Sequence, residues 1–260
     1  MLKRTLTALI GLVVFFAIVL SHRFVVYAAI GAVTIMMLCE MYEMLDAQKG
    51  VRICGFVAST AFVGIALAGN LVVAFYAALS IFMIAMVILH GKADSREILS
   101  NAAVTLFIVS SMLSLMLIRH GFEKILVIFP FVVAWLTDTG AYFAGSLLGK
   151  HKLAPKLSPK KTVEGSIGGV LLAMIGSVVY AWILNGFVME VRTALVFASI
   201  GLVGSVISQV GDLIASAIKR DCGKKDYGSI LPGHGGALDR FDSVLFVTPF
   251  IYFALTYFSF

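Results

Sequence analysis

Long apolar runs separated by short polar breaks recur along the whole chain, and this rhythm constrains its fold more than any other feature. The runs fall near residues 5–20, 24–39, 53–68, 71–89, 102–118, 125–145, 166–185, 193–217 and 244–260. A hydrocarbon layer about 30 Å thick is crossed by roughly 20 helical residues, or a few less. Within lipid a segment must satisfy its own backbone groups, which helices and closed barrels alone achieve. These runs lack the two-residue alternation of barrel strands. The expectation is therefore an all-α integral membrane protein of about nine transmembrane helices. The first three runs are the shortest, so eight or ten spans are the alternatives. With 60% apolar and 13% charged residues, the chain has too little polar surface to coat a water-soluble globule.

The placement of basic residues predicts an orientation. With the N-terminus inside, one side collects Lys3, Arg4, Lys49, Arg52, Lys92, Arg96, Lys150, Lys152, Lys156, Lys160, Lys161, Lys219, Arg220, Lys224, Lys225 and Arg240. The other side holds Arg23, Arg119, Lys124 and Arg192, which completes the 20 basic residues. Cytoplasmic loops carry the excess of Lys and Arg, so the N-terminus and both long basic loops are expected in the cytoplasm and the C-terminus outside. Lys3 and Arg4 precede an apolar run, but no small-residue cleavage site follows, and a cleaved signal is not expected. Cys39, Cys54 and Cys222 form no CxxC pair and read as free thiols. No repeat or low-complexity tract divides residues 1–260. One polytopic membrane domain is expected, with 1–124 serving packing or dimerisation and 125–260 holding the catalytic spans and loops.

Chemistry-bearing residues gather between Ser208 and Ser243, which reads SQVGDLIASAIKRDCGKKDYGSILPGHGGALDRFDS. On a helix Ser208, Asp212 and Ser216 repeat every four residues, with Lys219 next on the same face. Such a stripe must face protein or water: either it bonds helix to helix, or it serves a reaction. Asp138 lies in another span that ends on the same side. Asp239 and Asp242 share a face if a helix has begun there, and a helix N-terminus alone would favour both carboxylates. Four acids at one mouth suit a hard cation such as Mg²⁺, held by a few carboxylates and by substrate phosphate oxygens. The metal candidates are thus Asp212, Asp239, Asp138 and Asp242.

The loop Gly149–Gly165 carries five lysines. Lys150, Lys152 and Lys156 suffice as an anchor on anionic head groups. Ser158, Lys160, Lys161, Thr162 and Glu164 differ, because hydroxyls flank paired ammoniums in a Pro-stiffened approach that suits polyphosphate recognition. No Walker loop is present. Gly233, Gly235 and Gly236 permit close backbone approach around His234. That histidine either touches a phosphate, donates a proton, or is a satisfied loop residue.

These residues resemble the phosphatidate cytidylyltransferase family, also called CDP-diacylglycerol synthases. The family signature is met by Ser216, Ile218, Lys219, Arg220, Lys225, Asp226, Gly228, Leu231, Pro232, His234, Gly235, Gly236, Asp239, Arg240, Phe241 and Asp242. Ala237 stands where a larger aliphatic residue is usual, which implies looser packing there. Asp138 to Tyr142, Ser158 to Thr162 and Glu164-Gly165 also resemble the family, so the specific match covers roughly residues 135–243. The resemblance implies a reaction in which CTP and phosphatidate give CDP-diacylglycerol and pyrophosphate. It further implies Mg²⁺ dependence, a homodimer and a paired metal centre that can include K⁺, with Asp212 and Asp239 as the leading ligands. Implied reaction residues are Asp212, Asp239, Lys219, Arg220, Lys225, Asp226, His234 and Arg240. Implied substrate contacts are Ser158, Lys160, Lys161, Thr162, Glu164, Ser208, Ser216, Gly235 and Gly236. Membrane lipids are expected around it and nucleic acid is not a partner; a bacterial cytoplasmic (inner) membrane is the expected setting, with the site facing the cytoplasm.

The physical chemistry is compatible. The phosphomonoester of phosphatidate is already an anionic nucleophile, so the difficulty lies in bringing two polyanions together and stabilising pyrophosphate as it departs. Two alternatives stay open. A CTP-dependent prenol or lipid-alcohol kinase would need a base for its hydroxyl substrate. An ion-coupled transporter also carries intramembrane acids, although near the membrane midplane rather than at one face.

Overall fold

The computed structural model describes residues 2–228 and 235–258, with side chains described from Ile10 onward. Its helices are α1 (Leu2–Leu20), α2 (Arg23–Met44), α3 (Lys49–Leu67), α4 (Leu71–Ile88), α5 (Ser95–Gly121), α6 (Phe129–Leu148), α7 (Val163–Leu184), α8 (Val191–Asp221) and α9 (Leu238–Phe258). A 3₁₀ turn, Lys124–Ile128, leads into α6. Among the described residues eight helices are long and apolar enough to cross a membrane, and Ile10–Leu20 is a shorter apolar helix. The all-α membrane class expected above is what the structure shows.

Helix α7 shows how a spanning helix sorts its faces. Gly165, Gly169, Ala173, Ser177 and Ala181 form a buried row at every fourth residue. Ile167, Leu171, Ile175, Val179 and Ile183 form a parallel exposed row of large apolar side chains. In water the exposed row would be a severe liability, whereas in lipid it is the ordinary solvent-facing surface. The small row allows backbone to approach backbone. A Cβ added at Gly169 would stand 2.7 Å from the Thr137 carbonyl oxygen of α6, and one at Gly201 of α8 would stand 2.7 Å from that of Ala173.

The helices group into two compact units. The first comprises Met1–Val26, Ser114–Lys225 and Arg240–Phe260. Here Phe129 stacks on Tyr180 with ring centres 5.1 Å apart, while the Tyr180 hydroxyl donates to the Ile125 carbonyl at 2.7 Å. Buried Thr137 donates to the Ser205 hydroxyl at 2.9 Å, a polar pin of α6 to α8. The second unit comprises Tyr27–Leu113 and Asp226–Asp239. Within it Tyr42 and Thr105 share a buried hydroxyl–hydroxyl bond of 2.7 Å, and the Gln48 amide donates to Glu97 at 2.7 Å.

Helix ends differ from those expected. Helix α2 continues through Glu40 to Met44, α8 extends to Asp221, and α9 begins at Leu238 rather than 244. The loop between α6 and α7 is a small antiparallel hairpin, β1 (Lys152–Ala154) and β2 (Ser158–Thr162), with Ala154 opposite Ser158 and Lys152 opposite Thr162. Its turn closes with the Leu157 amide donating to the Ala154 carbonyl at 3.2 Å. Pro155 at the second turn position presets the φ that such a turn requires.

Candidate active site

The hairpin ends directly in helix. Thr162 is the N-cap of α7, and its hydroxyl accepts from the Gly165 amide at 3.1 Å. Glu164, in the first turn, accepts from the Lys150 amide at 3.1 Å and bonds the His151 ring at 2.6 Å. Both side chains expected to touch substrate are therefore given local partners that fix the hairpin to the helix. Held this way, β2 delivers Lys160 and Lys161 to a cavity of about 200 Å³ lined also by Asp138, Tyr142, Ser166 and Gln209. Pockets that enclose a whole ligand run to roughly 300–1,000 Å³, so this one matches a phosphate group better than a complete nucleotide.

Acids from three helices of the first unit meet here. The Lys161 ammonium is ion-paired with the Asp212 carboxylate, each side chain about a quarter exposed. Asp212 in turn acts electrostatically on both Asp138 and Asp242, and Asp138 acts on Asp242. Lys219, 9% exposed, approaches Asp242 at 4.0 Å. Three carboxyl groups and two ammoniums thus share the cluster, and their hard oxygen donors suit a divalent cation. Among the described residues no three His, Cys, Asp or Glu side chains already converge on one metal position. The fit is to a cation that takes one or two carboxylates and completes its shell with substrate oxygens and water.

The remaining predicted residues divide clearly. Ser208 is fully buried, and its hydroxyl has no hydrogen-bond partner among the described residues. Ser158 and Ser216 are half-buried. Arg220 is exposed and donates to the Lys224 carbonyl at 3.3 Å, and Lys225, Asp226 and Arg240 are exposed. In the second unit Asp239 accepts with one oxygen from the amides of Tyr227 at 2.8 Å and Gly236 at 3.0 Å. Gly235 adopts φ +81°, and Gly236 is buried. Gly233 and His234 lie outside the described residues.

Sequence reasoning passed over Gln209, whose amide donates to the Ser166 carbonyl at 3.2 Å at the cavity wall. It also passed over Glu40, an acid 2% exposed. Gln209 was signalled by a polar side chain inside an apolar run, the pattern that carried Asp212, whereas Glu40 follows the run 24–39 and read as the start of a polar break.

A family profile described as the cytidylyltransferase family matches residues 2–258. A phosphatidate cytidylyltransferase of Staphylococcus aureus (strain COL) is 36% identical over 256 residues, covering 95% of this chain and 96% of that one. A phosphatidate cytidylyltransferase of Bacillus subtilis (strain 168) is 51% identical over 128 residues, 49% of this chain and 46% of its own.

Proposed function

The chain belongs to the cytidylyltransferase family, and from that premise we propose that it transfers the cytidylyl group of CTP to phosphatidate. The observation that carries this reading is the cluster in which Lys161 pairs with Asp212 beside Asp138, Asp242 and Lys219, at the edge of a phosphate-sized cavity. A phosphate oxygen of the lipid attacks the α-phosphorus of CTP. The bond from that phosphorus to the bridging oxygen of the β-phosphate breaks, and pyrophosphate leaves. No proton need be removed from the nucleophile, so the task is to hold and shield negative charge. Lys160 and Lys161 are suited to the polyphosphate, and Lys219 neutralises charge deeper in the cluster. Mg²⁺, held by Asp212 with Asp138 or Asp242, would supply the neutralisation of phosphate charge that two ammoniums leave incomplete.

The chain is a multi-pass membrane protein with bacterial relatives. We place it in a bacterial inner membrane, with the basic hairpin and the exit of α8 in the cytoplasm where CTP is found. The excess of Lys and Arg on those loops supports this orientation. The working form in this reading is a homodimer.

The test is turnover by purified protein in detergent with labelled CTP, Mg²⁺ and phosphatidate. Pyrophosphate release that depends on phosphatidate is the expected result. Release of CDP with a polyprenol would make the protein a lipid-alcohol kinase instead. Ion flux in proteoliposomes without CTP turnover would favour a transporter.

A further inference from the structure

Glu40 stands near the C-terminal end of α2 and is 2% exposed. A buried carboxylate is costly unless its charge is matched by hydrogen bonds. Here the partners are amides at the start of α9: Ala237, which immediately precedes the helix, donates to Oε1 and Leu238, its first residue, to Oε2, each at 2.8 Å. Those amides have no acceptor within their own helix, and the positive end of the helix dipole adds to the attraction. The backbone around the carboxylate is glycine on both approaches. A Cβ at Gly228 would come within 2.7 Å of Oε1, and one at Gly236 within 2.5 Å of both oxygens. Next to this contact, Asp239 ties the amides of Tyr227 and Gly236 to one oxygen.

We propose that Glu40 is a positioning residue: its buried carboxylate clamps the start of α9 and so sets the orientation of Asp239 for the reaction. Both oxygens are used as acceptors, so the clamp needs a carboxylate and not merely a polar group. In Glu40→Gln one position becomes an N–H donor facing another N–H donor, and the charge that favours the helix end is lost. Both glycines are required because any side chain there would occupy the space of the carboxylate. Substrate does not touch Glu40 in this account. It governs the rate by holding Asp239.

The proposal rests on the cytidylyltransferase reading for its kinetic arm alone. The experiment compares full-length wild type, Glu40→Gln, Glu40→Asp, Gly228→Ala and the Glu40→Gln/Gly228→Ala double variant in detergent. Amide hydrogen exchange of the peptide containing Ala237 and Leu238 is read beside kcat and KM for CTP and phosphatidate. In Glu40→Gln exchange of that peptide should accelerate about tenfold or more. Its kcat should fall about 10- to 100-fold with both KM values nearly unchanged. Glu40→Asp should recover part of the rate, and the double variant should be no worse than the poorer single one.

Wild-type exchange in Glu40→Gln would overturn the clamp, as would a multiplicative loss in the double variant. Faster exchange with kcat intact would overturn the positioning role. If Glu40→Gln does not fold, Gly228→Ala decides, since its added methyl group displaces the same carboxylate; unaltered exchange there overturns the proposal. Should wild type turn over no CTP, the enzymatic reading fails, while the exchange arm still decides the clamp.

Discussion

Lys161 and Asp212 form an ion pair that is only partly withdrawn from solvent, each side chain about a quarter exposed. Pairs so exposed contribute about 1 kcal/mol or less to stability. The pair therefore has little structural reason to exist, and its place at the cavity edge supports a chemical one. Asp212→Asn, which keeps shape and removes charge, is expected to leave the melting temperature in detergent nearly unchanged while lowering turnover about 100-fold or more. Near-normal turnover would remove Asp212 from the site. Lys219 is the opposite case. It is buried opposite Asp242, and deleting one partner of a buried pair costs about 3–5 kcal/mol. Lys219→Met should accordingly lower the thermal unfolding temperature as well as the rate, and a variant that melts like wild type would contradict that. Asp212 could be picked out from its neighbours in the sequence because serines repeat around it at helical spacing. Asp138 on α6 could be grouped with it as a second acid ending on the same side, but the lysine it binds on β2 could not be paired with it, because such contacts arise from how elements pack and not from spacing along the chain.

At the scale of elements, the crossing of α6 and α7 depends on hydrogen-sized side chains. A valine at 169 would press on the Thr137 carbonyl, which a Cβ alone would approach to 2.7 Å. Overpacking of this kind costs about 1–3 kcal/mol. Gly169→Val is expected to lower thermal stability in detergent by that order and to reduce turnover, since α6 carries Asp138 and α7 anchors the hairpin. Gly64→Ala in α3 is the control. A Cβ there meets nothing within 4 Å, so a helical alanine should stabilise by about 0.5–1 kcal/mol. Equal effects of the two substitutions would show that the crossing is not tight. The spans themselves were legible as apolar runs. Their ends were not, because Glu40, Asp239 and Arg240 read as breaks, although helical hydrogen bonding continues through polar residues wherever their side chains find partners. The hairpin escaped notice for a related reason. Its strands are 3 and 5 residues long, rich in lysine and proline, and show no alternation of apolar and polar positions.

For the whole molecule, the proposed orientation rests on where the positive charges lie, and a native thiol can report it. Cys222 follows α8 directly and is half-buried. With Cys39 and Cys54 replaced by serine, a membrane-impermeant maleimide should label Cys222 in inverted vesicles and not in sealed right-side-out ones. Labelling from the outer side would reverse the topology and separate the basic hairpin from cytosolic CTP. Most of the candidate site residues come from the later part of the chain, and the sequence alone suggests that the early spans serve packing or dimerisation. The bonds from Glu40 to the amides of residues 237 and 238 lead to a different view of how such a chain can be engineered. A gene fragment encoding only the later helices would retain every signature side chain and still lack the anchor of its last helix. Chimeras that exchange the early helices between homologues should therefore succeed only when an acid is carried over at this position.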